Sequence, residues 1–304
     1  MSISRRELLA TGVAAASAAV LPALALPSAG SAAETKARSK AALRLSCQVW
    51  LIPGRDLPEK LALMEKWGFD AVELGGDIVG HEMEHIDAVK QTKLKVSAIC
   101  GGAPNGDIVS EDPAKRVKAV ETLKRLVTSA GAVGSIGPIL VPAFNGQTTL
   151  GNQEIRKILL DTLPGVGEHA LKAGTHVIME PLNRKEAFFL RQVADAAAIA
   201  RDCHSNGIAV MGDFYHMYIE ETSDLGAFIS GGSRVHHVHL ATGVHRILPG
   251  QEERSFVEGF RGLKFIGYQN YCSFECGIRG DPIVEIPKSM AFLRDEWEKA
   301  TWDH

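Results

Sequence analysis

The sequence predicts an α/β fold, a single (β/α)8 TIM barrel set behind an N-terminal leader, and three observations carry that prediction. Apolar strand-like segments and helix-like segments alternate strictly through eight units. The 304-residue length suits one barrel of about 250 residues with a leader ahead of it. No Gly-x-Gly-x-x-Gly follows the first strand segment, which opposes an open dinucleotide-binding sheet.

Residues 43–51 read as the first strand, ended by Pro53-Gly54. A helix over 58–67 follows, with Pro58 in its first turn. A strand over 71–74 closes at Gly75-Gly76, a helix covers 81–93, and a strand over 96–100 stops at Gly101-Gly102. Asp112-Pro113 opens a helix to about residue 129, a capping residue followed by proline at the first helical position. The fourth unit is a strand over 139–144 and a helix over 152–173, interrupted at Pro164-Gly165. The second half repeats the rhythm. Strands fall at 176–180, 208–214, 235–240 and 271–275, and helices at 193–204, 224–229, 255–266 and 287–299.

Residues 1–33 have the anatomy of a twin-arginine-type signal peptide, 34–42 read as a linker, and 43–304 as the barrel. Ser4-Arg5-Arg6-Glu7-Leu8-Leu9 opens the leader, an Ala-rich apolar stretch follows, and Ser31-Ala32-Ala33 has cleavage-site character. Pro22 and Pro27 break the stretch, so no stable membrane anchor is expected. The expected location is periplasmic or secreted. The formal net charge is -3 and no long basic run occurs, so no nucleic-acid partner is expected. Five dispersed cysteines read as buried thiols rather than a disulfide framework. A homo-oligomer stays open.

In such a barrel the chemistry sits at the C-terminal ends of the strands. Glu180 ends the fifth strand, Asp213 the sixth, His239 the seventh and Glu275 the eighth. A carboxylate at the end of an apolar strand is costly to bury unless a cation or a donor meets it. Four such residues on adjacent strands converge on one mouth. Three carboxylates and one imidazole make a mostly hard oxygen site for one divalent metal ion, Mn2+ or Mg2+ ahead of Co2+ and Zn2+.

These strand-end motifs, Met179-Glu180-Pro181-Leu182-Asn183-Arg184 and Gly212-Asp213-Phe214-Tyr215-His216 foremost, resemble the xylose-isomerase-like TIM-barrel superfamily. That superfamily holds sugar isomerases, ketose 3-epimerases, hydroxypyruvate isomerases, inosose dehydratases and endonuclease IV. The resemblance to the ketose 3-epimerases implies that Glu180, Asp213, His239 and Glu275 bind the metal. It implies that Glu180 and Glu275 are also the catalytic acid-base pair. It implies substrate contacts from Glu186, His216 and Arg246. Arg246 lies one residue further from His239 than in the epimerase pattern, so His245 is an alternative for its place.

The expected activity is that of an isomerase or epimerase of a small carbohydrate, moving a proton next to a carbonyl through an ene-diolate. A metal-dependent lyase or hydratase acting on an oxidised sugar, such as a 3-keto-glycoside, is the runner-up. A carbohydrate-binding barrel without catalysis is the third reading. Trp50, Glu73 and Phe144 are further candidates for the sugar pocket, and Arg184 and Lys185 for an anionic group. His81-Glu82-Met83-Glu84-His85 matches the helical zinc-protease pattern, but a barrel strand stands where its third ligand would follow.

Overall fold

The computed structural model describes residues 40–301, and the leader expected over 1–33 lies outside them. Eight parallel strands form the barrel wall: β1 (Arg44–Cys47), β2 (Ala71–Gly75), β3 (Lys95–Cys100), β4 (Ile139–Leu140), β5 (Val177–Met179), β6 (Ile208–Asp213), β7 (Val235–Leu240) and β8 (Tyr271–Phe274). Six of them run in the order β1-β8-β7-β6-β5-β4, and β2 pairs with β3. Single bridges join the two sheets, Gln48 to Glu73 on one side and Ile99 to Pro138 on the other. The backbone bonds Asp70 N–H to Leu45 O (2.8 Å) and Ile99 N–H to Gly137 O (3.0 Å) help close the ring.

Around the wall lie α1 (Leu57–Trp67), α2 (Glu82–Lys90), α3 (Pro113–Ala132), α4 (Asn152–Lys172), α5 (Val193–Asp202), α6 (Phe214–Glu220), α7 (Asp224–Gly231), α8 (Val257–Ile266) and α9 (Pro282–Lys299). Their starts follow from capping chemistry. Asp56, Asp112 and Asp281 each accept a backbone N–H of the first turn and are followed at once or within two residues by proline. No helix among the described residues is long and apolar enough to cross a membrane.

Three expectations need correction. Helix α4 runs unbroken through Pro164. Its buried face of Ile155, Leu159, Leu163, Val166 and Ala170 packs on the barrel and outweighs the one hydrogen bond the proline removes. Helix α9 starts at Pro282, because Asp281 caps it, and Pro287 lies inside. Helix α6 was not expected from the sequence. It starts directly from β6, with Asp213 accepting the N–H of Tyr215 at 2.8 Å.

The cysteines are free, and four of the five are buried. Gly101 and Gly102 after β3 have φ of 93° and 76°, a region other residues avoid. This turn carries the chain tightly past Gly76 at the barrel mouth, where a Cβ on Gly76 would lie 2.5 Å from Gly101 O.

At the opposite end, the rings of His176 and His236 meet edge to face with centroids 4.4 Å apart. Burial, and then the neighbouring His176, press the His236 pKa down to about 4. A histidine depressed below its unfolded value of about 6.5 stabilises the fold above that value. The contribution is lost as pH falls from about 6.5 toward 4, where the unfolded chain takes up the proton first. We expect urea unfolding to show up to about 2 kcal/mol less stability from this residue at pH 5 than at pH 7. His236→Gln should flatten that part of the slope, and an unchanged slope would refute the assignment.

Candidate metal centre and active site

The four strand-end residues come together at the C-terminal mouth. Glu180 follows β5 and is fixed by its N–H donating to Leu140 O at 3.0 Å. Asp213 ends β6, His239 lies in β7 and Glu275 follows β8. One donor atom from each lies within 4.8 Å of the others. His239 Nδ1 is 2.7 Å from Glu275 Oε2, 3.7 Å from Glu180 Oε1 and 3.9 Å from Asp213 Oδ2.

Yet His239 Nδ1 and Glu180 Oε1 are buried and make no directional hydrogen bond. Buried polar atoms almost always find partners, so orphans call for an explanation. A cation inside the cluster supplies one for both. The donors also suit it: three carboxylates and one imidazole nitrogen, with a hard divalent ion favoured over a soft one. These residues therefore fit a divalent metal.

The supporting groups give each donor its direction. Asp213 spends Oδ1 on capping α6, which leaves Oδ2 toward the cluster and 2.8 Å from Arg246 Nη2. His239 Nε2 lies 3.1 Å from both oxygens of Glu73, which turns Nδ1 toward the cluster. Glu73, fully buried, also meets His237 Nε2 at 2.8 Å and accepts from Gln48 Nε2 at 2.9 Å. Burial alone would raise Glu73, but the two imidazoles outweigh it and hold the carboxyl far below its ordinary range.

The two glutamates are pushed apart. Burial, and then the Glu275 charge, raise Glu180 above the ordinary carboxylate range, although His239 pulls the other way. Burial pushes Glu275 up as well, but His239 and Arg246 outweigh it and hold Glu275 well below.

Beside the cluster opens a cavity of about 220 Å3. Glu180, Glu275, Glu186, His216 and Arg246 make its polar side, and Ile139, Val141, Phe144 and Leu182 its apolar side. Arg246 reaches it through a tight loop held by Thr242 N–H on Ile247 O at 2.9 Å, with Arg246 itself at φ 50°. Its guanidinium stacks over Tyr215 at 4.8 Å and meets Glu275 Oε2 at 2.5 Å.

His245 does not take that place. It is exposed and ion-paired with Glu252, outside the cavity. Trp50 and Glu73 do not line the cavity either; Trp50 is half exposed, and Glu73 lies under the metal cluster. Arg184 is tied to Glu220. His81 is exposed at the cap of α2, His85 is half-buried beside Leu57 and Pro58, and Glu82 is bound by Ser129, so the protease-like motif gathers no metal cluster among the described residues. The sequence reading missed the supporting roles of Glu73, Gln48, His237 and Asn183. Glu73 carried the same signal as the ligands, a carboxylate within the apolar run Ala71-Val72-Glu73-Leu74.

Fold and site thus define a (β/α)8 barrel whose mouth gathers three carboxylates and an imidazole, a set that could hold a metal ion, beside a small cavity. The chain belongs to the xylose isomerase-like TIM barrel family, whose model matches residues 61–296. It is 32% identical over 249 residues to 3-dehydro-D-guloside 4-epimerase of Escherichia coli, covering 78% of this chain and 93% of the relative. It is 28% identical to L-ribulose 3-epimerase of Mesorhizobium japonicum, covering 80% of this chain and 82% of the relative. The crystal structure of E. coli 3-keto-D-glucoside 4-epimerase superposes with a TM-score of 0.77 at 29% identity, over 84% of this chain and all of that one.

Two outcomes are expected. Asp213→Ala and His239→Ala should lose the bound metal by elemental analysis, and with it the rise in Tm that a divalent ion gives the parent. Full metal content in both would refute the cluster. Glu73→Gln should keep the metal site but weaken its affinity about 10–100-fold in titration, the usual cost of a lost ligand-orienting partner.

Proposed function

We propose that this protein is a divalent-metal-dependent epimerase of small carbohydrates with a 3-keto-glycoside as its substrate class. The observation that carries the reading is the joining of Glu180 and Glu275 in one cation-sized cluster beside a small polar cavity. The substrate class is supported by the relatives above, since the 4-epimerase of a keto-glycoside matches at higher identity than the ketose 3-epimerase. Mn2+ or Mg2+ is the proposed metal, because three of the four donors are carboxylates.

A bound divalent cation supplies Lewis-acid stabilisation of the oxygen that gains charge. The chain's own groups do the rest. One glutamate removes the proton from the carbon beside the carbonyl, and the other returns a proton to the opposite face. Return to the same carbon inverts it. Glu186, His216 and Arg246 hold the carbonyl and its neighbouring hydroxyl from the polar side. The apolar side keeps water from the reacting carbon. Asn105 lines the cavity with its side-chain oxygen buried and unpartnered, and it reads a hydroxyl further along the sugar.

The leader motif supports export of the folded enzyme to the periplasm. Replacing Arg5 and Arg6 together by Lys should retain it in the cytoplasm on fractionation; export as before would refute a twin-arginine route.

Proton NMR in D2O tests the reaction, with the Mg2+-loaded protein offered 3-keto-glucosides, ketoses and aldoses. We expect deuterium at a carbon next to the carbonyl of the keto-glucoside, with the aglycone retained. Glu180→Gln and Glu275→Gln should each slow the exchange about 10²–10⁴-fold. Loss of the aglycone with an unsaturated keto-sugar would replace the epimerase by a lyase. No exchange across the panel would overturn the reading.

A further inference from the structure

Asn183 stands at the end of Glu180-Pro181-Leu182-Asn183, fully buried, and touches none of the metal donors. Its bonds can be assigned without ambiguity. The backbone N–H of Lys185 is a donor, so the side-chain atom it meets at 2.9 Å is the amide oxygen. The other end is therefore the NH2 group. It donates to Glu186 Oε1 at 2.9 Å and faces His216 Nδ1 at 2.8 Å. The backbone N–H of Asn183 points at the same ring nitrogen from 3.2 Å.

Two donors thus converge on His216 Nδ1, which must accept. The ring hydrogen then sits on Nε2. Nε2 faces the cavity, 3.5 Å from Asp213 Oδ2 and 3.9 Å from Glu180 Oε1, and no hydrogen bond among the described residues engages it.

We propose that Asn183 is a positioning residue that fixes His216 as the Nε2–H tautomer, so that the ring donates a hydrogen bond to the substrate oxygen that gains charge. The role toward substrate rests on the epimerase reading; the tautomer does not. The same amide group holds Glu186 in place with its second hydrogen. One buried side chain thereby sets two walls of the cavity. His216 moves no proton in this scheme and acts as a fixed donor, the arrangement that best stabilises a developing oxyanion.

The test is nitrogen-15 NMR of the Mg2+-loaded full chain with labelled histidine, the His216 signals being assigned from their loss in His216→Gln. The parent should show an unprotonated Nδ1 and a protonated Nε2. In Asn183→Asp, nearly the same size, a carboxylate oxygen faces Nδ1, and the proton should appear there. A parent with its hydrogen on Nδ1, or an Asn183→Asp protein that keeps the parent tautomer, would overturn the proposal. Should Asn183→Asp fail to fold, Asn183→Ser takes its place, with a mixture of tautomers as the expected result and an unchanged tautomer as the contrary one. On whichever keto-sugar the parent turns over, both variants should lose about 10²-fold in kcat with little change in KM. Their Mg2+ affinity should stay at the parent's value, and a loss of affinity in step with kcat would reduce Asn183 to a structural role. Absence of turnover in the parent would sink the epimerase reading and leave the tautomer result standing.

Discussion

Three carboxylates held against one another at the barrel mouth are the constraint on which this structure turns. Two unit charges 4 Å apart repel by about 4 kcal/mol at an effective dielectric constant near 20. Glu180, Asp213 and Glu275 present donor atoms within 4.8 Å of one another. Folding tolerates such a set only where positive charge answers it. Arg246 answers part of it through Asp213 and Glu275. It leaves Glu180 Oε1 without a hydrogen-bond partner. A divalent cation would meet the remaining demand, and the same charge is what the proposed ene-diolate needs beside it.

The surrounding fold is arranged to hold these donors still. Asp213 belongs at once to the end of β6 and to the cap of α6, so neither element can shift without moving it. The α6 helix then carries His216 to the cavity, and Tyr215 stacks under Arg246. Beneath the donors, Glu73 ties β2 to β7 through two imidazoles and to the end of β1 through Gln48. The interior is therefore polar at this level, with Glu73 facing His237, His239 and Gln48. The apolar layer of Ala98, Ile139, Ile178, Ala209 and Met211 fills another part of the lumen.

Much of this was legible in the sequence, for identifiable reasons. Strands such as Val177–Met179 and Ile208–Asp213 are continuous apolar runs, so a charged residue at their ends stands out. Period and turn residues marked the eight units. What escaped notice depended on contacts between distant segments. Glu73 and His239 are 166 positions apart, and nothing local pairs them. Pro164 reads as a helix breaker until the packing face around it is seen. The choice between His245 and Arg246 turns on the left-handed backbone at Arg246 and on the Glu252 side chain that captures His245. No pattern of residue types encodes either one.

The central claim is that one divalent cation sits among Glu180, Asp213, His239 and Glu275. Anomalous scattering from a crystal equilibrated with Mn2+ tests it most directly. The expected result is a single strong peak within bonding distance of His239 Nδ1 and an oxygen of each carboxylate, with Glu73 still on His239 Nε2. A peak between Glu73 and His237, or none at the mouth while Mn2+ binds elsewhere, would contradict the account.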